Sequence, residues 1–385
     1  MTAIGPSFEH WAAAAFAVAA CLGVAYLFLA SLLLLRFKQG KRPSAQTDAQ
    51  PVTVLVPLCG EDEHLYARLC GLCTQEYAAP VQIVCGVRES DDPAIGIVRR
   101  VADDFPAVAV DLQIDPKQYG CNRKISNLVN MARLARHDLF VIVDSDIVVG
   151  PNYLTDVVAE LQNPKVGVVT CLYHGTSGYG IWSQLSALGL NTHFLPGVIV
   201  ALAFGMGRPC FGATIALSRS MLERIGGLRA FADWLQDDYA IGAKVREAGY
   251  DVAIPEFSLG HVCRERTARE LISTQIRSAR TIKLIDPIGY AGSIITHPAA
   301  LALLAMVCGS TYGLPLLVLA LGGRIAFCLA LERVFSAPRQ AYWLTPLRDL
   351  LSFGVFIVSF FGASVSWRGE RYRVKPDGRL VHDLK

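Results

Sequence analysis

Apolar positions along the chain fall into two regimes. In the first they are continuous. No charge interrupts Trp11 to Leu35, and about 20 such residues suffice for a helix to cross a bilayer. A second apolar block runs from Pro298 to Gly323 and resumes after Arg324 as far as Leu331. It holds one or two helices, which Gly309, Gly313 and Pro315 are placed to divide. A third block, Leu350 to Trp367, is just long enough to cross. The second regime lies between, from Pro51 to Asp286, where short runs alternate with helical patterns. Val52-Thr-Val-Leu-Val56 ending at Pro57, Val81-Gln-Ile-Val-Cys85 and Leu139-Phe-Val-Ile-Val143 read as buried strands. Glu63 to Gln75 and Pro93 to Asp103 read as helices, with Pro93 suited to a first turn. Strands alternating with helices predict a parallel, doubly wound α/β sheet, whose ligands bind at the carboxyl ends of the strands.

Composition narrows the class. Of 385 residues, 52% are hydrophobic and 18% charged, and the mean hydropathy is +0.37. That excludes a disordered chain and argues against a purely soluble one. The net charge of +3 comes without a long basic run, so no nucleic-acid partner is expected. Eleven scattered cysteines in a chain this long do not read as a secreted disulfide framework. Cys70 and Cys73 form a single CxxC with no second pair, which reads as packing and not as a zinc site. No Lys or Arg precedes Arg36, so the first apolar block reads as an uncleaved anchor and not a signal peptide. Arg36, Lys38, Lys41 and Arg42 follow it, which places that side in the cytoplasm and the N-terminus outside. The chain then divides into an anchor and polar linker (1–50), a domain of soluble character (51–286), transmembrane or interfacial helices (287–367) and a basic tail (368–385). A cytoplasmic tail implies an even number of later crossings. The loop with Arg333 and Arg339 would then lie outside, against the same charge rule.

Acidic groups mark three loops. Glu89-Ser-Asp-Asp-Pro93 follows the second strand, Asp144-Ser-Asp146 follows the strand ending at Val143, and Gln236-Asp-Asp-Tyr239 precedes a helical stretch. Two carboxylates two residues apart at a strand end can turn toward one hard cation, Mg²⁺ or Mn²⁺, shared with a substrate phosphate. A pair of turn or cap aspartates is the plainer alternative. In Asp237-Asp238, repulsion or burial raises one pKa, which suits a general base. Acids at a helix N-terminus would look the same. Lys124, in Asn122-Arg-Lys-Ile-Ser-Asn127, can neutralise a diphosphate or simply be an exposed loop lysine.

Taken together, Pro57-Leu-Cys-Gly60, Asp91-Asp-Pro-Ala-Ile95, Lys124-Ile-Ser-Asn-Leu128, Asp144-Ser-Asp-Ile147, Asp237-Asp-Tyr239 and Ser366-Trp-Arg-Gly369 with Tyr372-Arg373 resemble the ceramide glucosyltransferase family. The wording is most similar to its bacterial hopanoid-biosynthesis branch. The resemblance covers nearly the whole chain through the order and spacing of its motifs. It implies a GT-A, Rossmann-like nucleotide-sugar domain flanked by transmembrane helices in a bacterial inner membrane, its catalytic domain cytoplasmic. The reaction implied is inverting transfer from a UDP-sugar, UDP-N-acetylglucosamine or UDP-glucose, to a membrane-lipid hydroxyl. A hopanoid of the bacteriohopanetetrol type is the expected acceptor and ceramide the alternative. Residue by residue, it implies that Asp92 holds the nucleoside or shapes its pocket. Asp144 and Asp146 hold Mg²⁺ or Mn²⁺, Asp144 and Asp237 line the donor site, and Asp238 is the catalytic base. His193 falls on a family histidine near the lipid. The apolar stretch after it, Phe194 to Met206, is too short to span and reads as interfacial or as part of the acceptor pocket.

One departure stands out. The family's last motif ends in Arg-Trp, and here the aligned stretch is Thr274-Gln-Ile-Arg277-Ser278-Ala-Arg280. Arg277 is present and adds positive charge to the leaving group. Ser278 replaces the Trp, with Gln275 and Arg280 as partial substitutes, and a neighbour is expected to fill the space. Two other readings compete. Asp144-Ser-Asp-Ile-Val148 also fits a haloacid-dehalogenase-type phosphatase with Asp144 as nucleophile, but Gln236-Asp-Asp-Tyr239 is not the Gly-Asp motif such an enzyme needs. A membrane scaffold without activity rests only on Ser278.

Overall fold

The structure is a computed structural model. It describes residues 8–37, 49–60, 62–206, 209–362, 364–367, 370–374 and 379–382. Lys38, Lys41, Arg42, Arg368 and Gly369, invoked above for orientation and motif, lie outside them. In chain order the elements are α1 (Phe8–Leu35), β1 (Val52–Pro57), α2 (Leu65–Cys73), β2 (Val81–Val87), α3 (Ala94–Asp104), β3 (Ala109–Ile114), α4 (Arg123–Met131), β4 (Leu139–Val143), β5 (Ile147–Val148) and α5 (Tyr153–Glu160). Then come β6 (Val166–Thr170), β7 (Leu172–Ser177), α6 (Gly180–Gly189), a π turn (Leu190–Phe194), α7 (Leu195–Ala203), β8 (Thr214–Ser218), α8 (Arg219–Arg224), α9 (Asp237–Glu247), β9 (Asp251–Ala253) and β10 (Ser258–Cys263). The last are α10 (Ala268–Ile285), α11 (Pro287–Gly292), α12 (Pro298–Val307), α13 (Gly313–Phe335), α14 (Thr345–Ser359) and two paired strands over 364–374. Packing divides the chain into two units, one sheet-based (39–173, 208–262 and 378–385) and one helical (1–38, 174–207 and 263–377).

The sheet unit is built on seven strands in the order β3-β2-β1-β4-β8-β6-β9. From β3 to β4 they run parallel, as the sequence predicts. Beyond β4 the sheet is mixed, because β8 runs antiparallel to both β4 and β6. The predicted strands are largely apolar because both faces of the sheet are covered, and their buried polar residues Thr53 and Gln82 bond each other at 2.8 Å. Val54, Val56, Ile83, Val141 and Val143 pack toward Leu65, Leu69, Val98 and Val157 of α2, α3 and α5. The alternate residues Leu55, Val84, Phe140 and Ile142 pack toward Ile125, Leu128 and Val245 of α4 and α9.

Among the described residues, the helical unit holds three helices long and apolar enough to cross a membrane: Phe8–Leu35, Gly180–Ala203 and Gly313–Phe335. A fourth crossing exists if the pair 287–296 and 298–307, bent by 67°, is one broken span. The predicted division of the second apolar block holds, since α12 and α13 are separate. Two expectations are corrected. Phe194–Met206 is not a free-standing interfacial stretch. Its residues to Ala203 continue α6 through the π turn, because the polar side chains before them are satisfied inside the unit. Thr192 Oγ1 donates to Leu188 O at 2.6 Å, and Asn191 Nδ2 donates to Gly175 O and to Gln340 Oε1, both at 2.9 Å. The block 350–367 is not a crossing, since α14 ends at Ser359 and a strand begins at Ser364.

In α1, Ala20, Gly23, Leu27, Ala30 and Leu34 form the buried stripe. Small residues let backbones approach closely without a hydrophobic driving force; a side chain at Gly23 would run into the Ile295 carbonyl. The helical unit's most buried large side chain is Arg324, in the middle of α13 and fully inaccessible. Its guanidinium donates to the carbonyl of Thr192 in the π turn and, at 2.5 Å, to that of Thr296, just before the bend. It also meets His193 Nδ1 at 3.0 Å and Asp349 Oδ1 at 3.0 Å. A charge that reads in the sequence as interrupting an apolar run is thus neutralised and bonded within one uninterrupted helix. Arg324→Leu would leave Asp349 buried without its guanidinium partner, which typically costs about 3–5 kcal/mol. Thermal unfolding in detergent is expected to show a large loss for Arg324→Leu and a smaller one for Arg324→Lys, which cannot serve four acceptors. Unchanged melting temperatures would show that Arg324 does not hold the two helix breaks.

Candidate functional site

The sheet unit gathers the acidic residues at the carboxyl end of β4. Asp144 follows Val143 directly, and its N–H reaches Ala213 O at 3.4 Å, which ties it to the segment entering β8. Lys124 lies in the first turn of α4 and not in a loop. The turn is fixed by Asn122, whose Oδ1 accepts from Ile125 N at 3.0 Å. Asn122 is fully buried, and its Nδ2 donates to Trp234 O at 2.8 Å and Asp237 Oδ1 at 3.2 Å. One capping residue therefore starts the helix that carries Lys124 and positions the acidic pair at the start of α9. Lys124 Nζ meets Asp144 Oδ1 at 2.6 Å, with the two side chains 19% and 32% exposed.

Gly212 brings Asp144 and Asp238 to a common point. A Cβ there would stand 3.2 Å from Asp238 Oδ2 and 3.7 Å from Asp144 Oδ2. The bare backbone lets both carboxylates approach the same small space. Asp238 Oδ1 accepts from Tyr239 N at 2.8 Å, so Oδ2 is the oxygen turned toward that space. Burial and then the neighbouring Asp237 push the Asp238 carboxyl up to about 7, against the pull of Lys124 and the Tyr239 amide. The Asp144 carboxyl is raised by burial and by Asp146, with Lys124 opposing. Burial works against the Lys124 charge, but Asp144, Asp237 and Asp238 together hold the ammonium well above its ordinary pKa.

Asp146 sits one turn on, opposite β10. Its carbonyl accepts from Val262 N at 2.8 Å, and its Oδ2 lies 3.8 Å from His261 Nε2. Asp146 Oδ1 is buried and has no hydrogen-bond partner among the described residues, which suits a cation ligand. Among the described residues no three His, Cys, Asp or Glu side chains are drawn together to enclose a metal. The donor set here is two carboxylates, a pattern usual for a hard cation that shares phosphate and water ligands. Asp92 does different work. Its Oδ2 accepts from Gly60 N at 2.9 Å and its Oδ1 from Ala94 N at 2.9 Å, so it clamps the loop after β1 to the start of α3.

The remaining expected residues belong to the helical unit. His193 is held by Arg324 at Nδ1 and lies 3.0 Å from Asp349 Oδ1 at Nε2. Gln275 Oε1 accepts from Arg348 Nη2 at 2.9 Å, and Arg280 Nη2 donates to Phe361 O at 2.6 Å. Arg277 lies on α10, half-buried, and its carbonyl accepts from Thr281 Oγ1 at 2.8 Å. Ser278 is exposed on the same helix, so the expectation that a neighbour fills the place of the Trp is not met. Sequence reasoning missed Asn122, His261 and Gly212. Asn122 carried a capping signal, three residues before the amide it accepts; Gly212 carried none.

The glycosyl transferase family 21 model matches residues 15–380. Ceramide glucosyltransferase 1 of Caenorhabditis elegans is 24% identical over 243 residues, 62% of this chain and 52% of that protein. Ceramide glucosyltransferase 3 of the same organism is 22% identical over 354 residues, 86% of this chain and 74% of that protein. The chain thus spans about half the length of the first of these relatives and about three quarters of the second. Among solved structures, the mannosyltransferase PcManGT of Pyrobaculum calidifontis, in complex with GDP-Man and Mn²⁺, is similar at a TM-score of 0.50. It is 22% identical, with 90% of this chain and 99% of that one covered. That likeness agrees with the GT-A fold. The match over nearly the whole chain leaves the phosphatase reading without support. On these grounds the chain, a GT-A α/β unit together with membrane helices, belongs to glycosyl transferase family 21.

Proposed function

We propose that this protein transfers a hexose from a UDP-sugar to the hydroxyl of a membrane lipid, with inversion. The observation that carries the proposal is the convergence of Asp238 Oδ2 and Asp144 Oδ2 on Gly212, with Asp144 paired to Lys124. Lys124 balances the donor diphosphate. Asp144 and Asp146 are the residues that would hold Mg²⁺ or Mn²⁺; the unpartnered Asp146 Oδ1 fits that role. A bound divalent ion would neutralise the diphosphate and ease departure of the nucleotide. Asp92 shapes the nucleoside pocket through its clamp on Gly60. Asp238 takes the proton from the lipid hydroxyl as it attacks the anomeric carbon. A single displacement on an α-linked donor gives a β-linkage.

The apolar helices keep the enzyme where its acceptor is. The catalytic unit faces the cytoplasm of a bacterial inner membrane, where nucleotide sugars are made. The acceptor we favour is a hopanoid with a polyol tail, on the wording of Lys124-Ile-Ser-Asn-Leu-Val-Asn130. Ceramide is the second reading, favoured by the names of the relatives. Membranes containing the protein, incubated with UDP-glucose or UDP-N-acetylglucosamine and each lipid in turn, decide between them by product mass. No glycolipid from any combination would overturn the proposal.

Asp238→Asn keeps the shape of the side chain but cannot accept the proton. The expected loss in transfer is about 10²–10⁴-fold, with UDP-sugar binding retained. Because the active form is the carboxylate, kcat/KM of the wild-type protein should fall as pH drops through about 7, and that limb should vanish in the variant. More than half the activity in Asp238→Asn would remove Asp238 as the base.

Excess chelator is expected to stop transfer, and added Mn²⁺ or Mg²⁺ to restore it. Asp144→Ala and Asp146→Ala should each weaken metal-dependent UDP binding, measured by calorimetry. Full activity in chelator would leave both aspartates as structural groups.

A further inference from the structure

Below the Asp144-Ser145-Asp146 turn lies a buried cation that the reaction does not use. Arg68, in α2, is 6% exposed, and its Nε donates to the Ser145 carbonyl at 2.6 Å. Its Nη2 is paired with Asp62, which is 4% exposed. Asp62 is itself fixed at the start of α2, where Oδ1 accepts from His64 N at 3.0 Å and the carbonyl accepts from Leu65 N at 3.1 Å. Ser145 lies between the end of β4 and the start of β5, outside both strands.

We propose that Arg68, anchored by Asp62, is a positioning residue for the two aspartates of the donor site. The inference rests on the donor-site reading above. The plane of the Ser145–Asp146 peptide sets the directions in which Asp144 and Asp146 leave the backbone, and Arg68 fixes that plane from beneath. Arg68 acts through geometry, whereas Lys124 acts through charge. A planar guanidinium can serve a carbonyl and a carboxylate at once, and an ammonium on a flexible stem does so poorly. Partners one shell behind metal-binding carboxylates typically change affinity by about 10–100-fold when altered.

The test uses the full chain in nanodiscs and follows Mn²⁺ binding in the presence of UDP by electron paramagnetic resonance, beside thermal unfolding. Arg68→Lys is expected to weaken Mn²⁺ binding by about tenfold or more. Leu69→Ala, in the same helix but with its side chain in the core, should lower the melting temperature and leave Mn²⁺ binding unchanged. Binding within twofold of wild type in Arg68→Lys would overturn the inference. So would an equal loss in Leu69→Ala, which would mark the effect as general loosening. If Arg68→Lys does not fold, Asp62→Asn takes its place: it keeps the shape of the anchor, should also weaken Mn²⁺ binding, and counts against the inference if it does not. A wild-type protein that binds no Mn²⁺ with UDP would overturn the donor-site reading, and the inference with it.

Discussion

Three carboxylates share one ammonium at the carboxyl edge of the sheet, with a fourth beside them. Asp144 and Asp146 leave the strand end, Asp237 and Asp238 open α9, and Lys124 is the cation that acts on Asp144, Asp237 and Asp238 together. Unit charges a few ångströms apart in a partly desolvated site interact by several kcal/mol. Such a cluster persists only because the backbone holds it. Asn122 caps α4 and binds Asp237, and Gly212, without a side chain, lets Asp144 and Asp238 approach it together. The excess of negative charge has two consequences. One member, Asp238, holds its proton to a pH near neutrality, where a general base is most effective. And an anionic diphosphate enters such a site only with added positive charge, which is the physical reason for expecting a divalent ion beside Asp146.

The helical unit meets a different constraint. In lipid no water satisfies a backbone group, so every irregularity in a spanning helix needs an internal partner. This unit has two, the π turn at Leu190–Phe194 and the bend before Pro298. Arg324 answers both by donating to Thr192 O and Thr296 O, and Asp349 neutralises it. His193 is drawn into the same network. Its two ring nitrogens face Arg324 and Asp349, so any role it has toward a lipid is exercised through how that network is held.

Much of this was legible in the sequence, and what was not has a physical cause. The strand ending at Val143 and the acidic turn after it could be read because this strand is buried on both faces and is apolar throughout. The helix starting at Arg123 announces itself only through Asn122. The β8 strand (Thr214–Ser218) drew no attention, and with it went the mixed half of the sheet. Gly212 lay beyond reach, since its importance is a distance to side chains far along the chain. The span at Gly180–Ala203 was missed because Asn191, Thr192 and His193 look like its end. They are tolerated inside it because their hydrogen bonds are made to Gly175, Gln340, Leu188 and Arg324. Arg324 was read as an interruption for the same reason. Periodicity records what a side chain is, and these positions are decided by what it meets.

Arg324 and Arg68 turn out to be two uses of one device, in units of different architecture. Each is buried, each donates to a carbonyl outside regular backbone pairing, and each has an aspartate beside it, Asp349 in one case and Asp62 in the other. Arginine suits both places because its forked donors reach carbonyl and carboxylate together and its charge is not given up on burial. Lys124 is the contrasting case. It is partly exposed, makes a single contact with Asp144, and stands among more negative charge than it can cancel. The buried guanidiniums hold backbone where regular structure fails, and the ammonium stays where a charge can be shared with an incoming ligand. That division separates the two buried guanidiniums from the ammonium at the edge of the sheet.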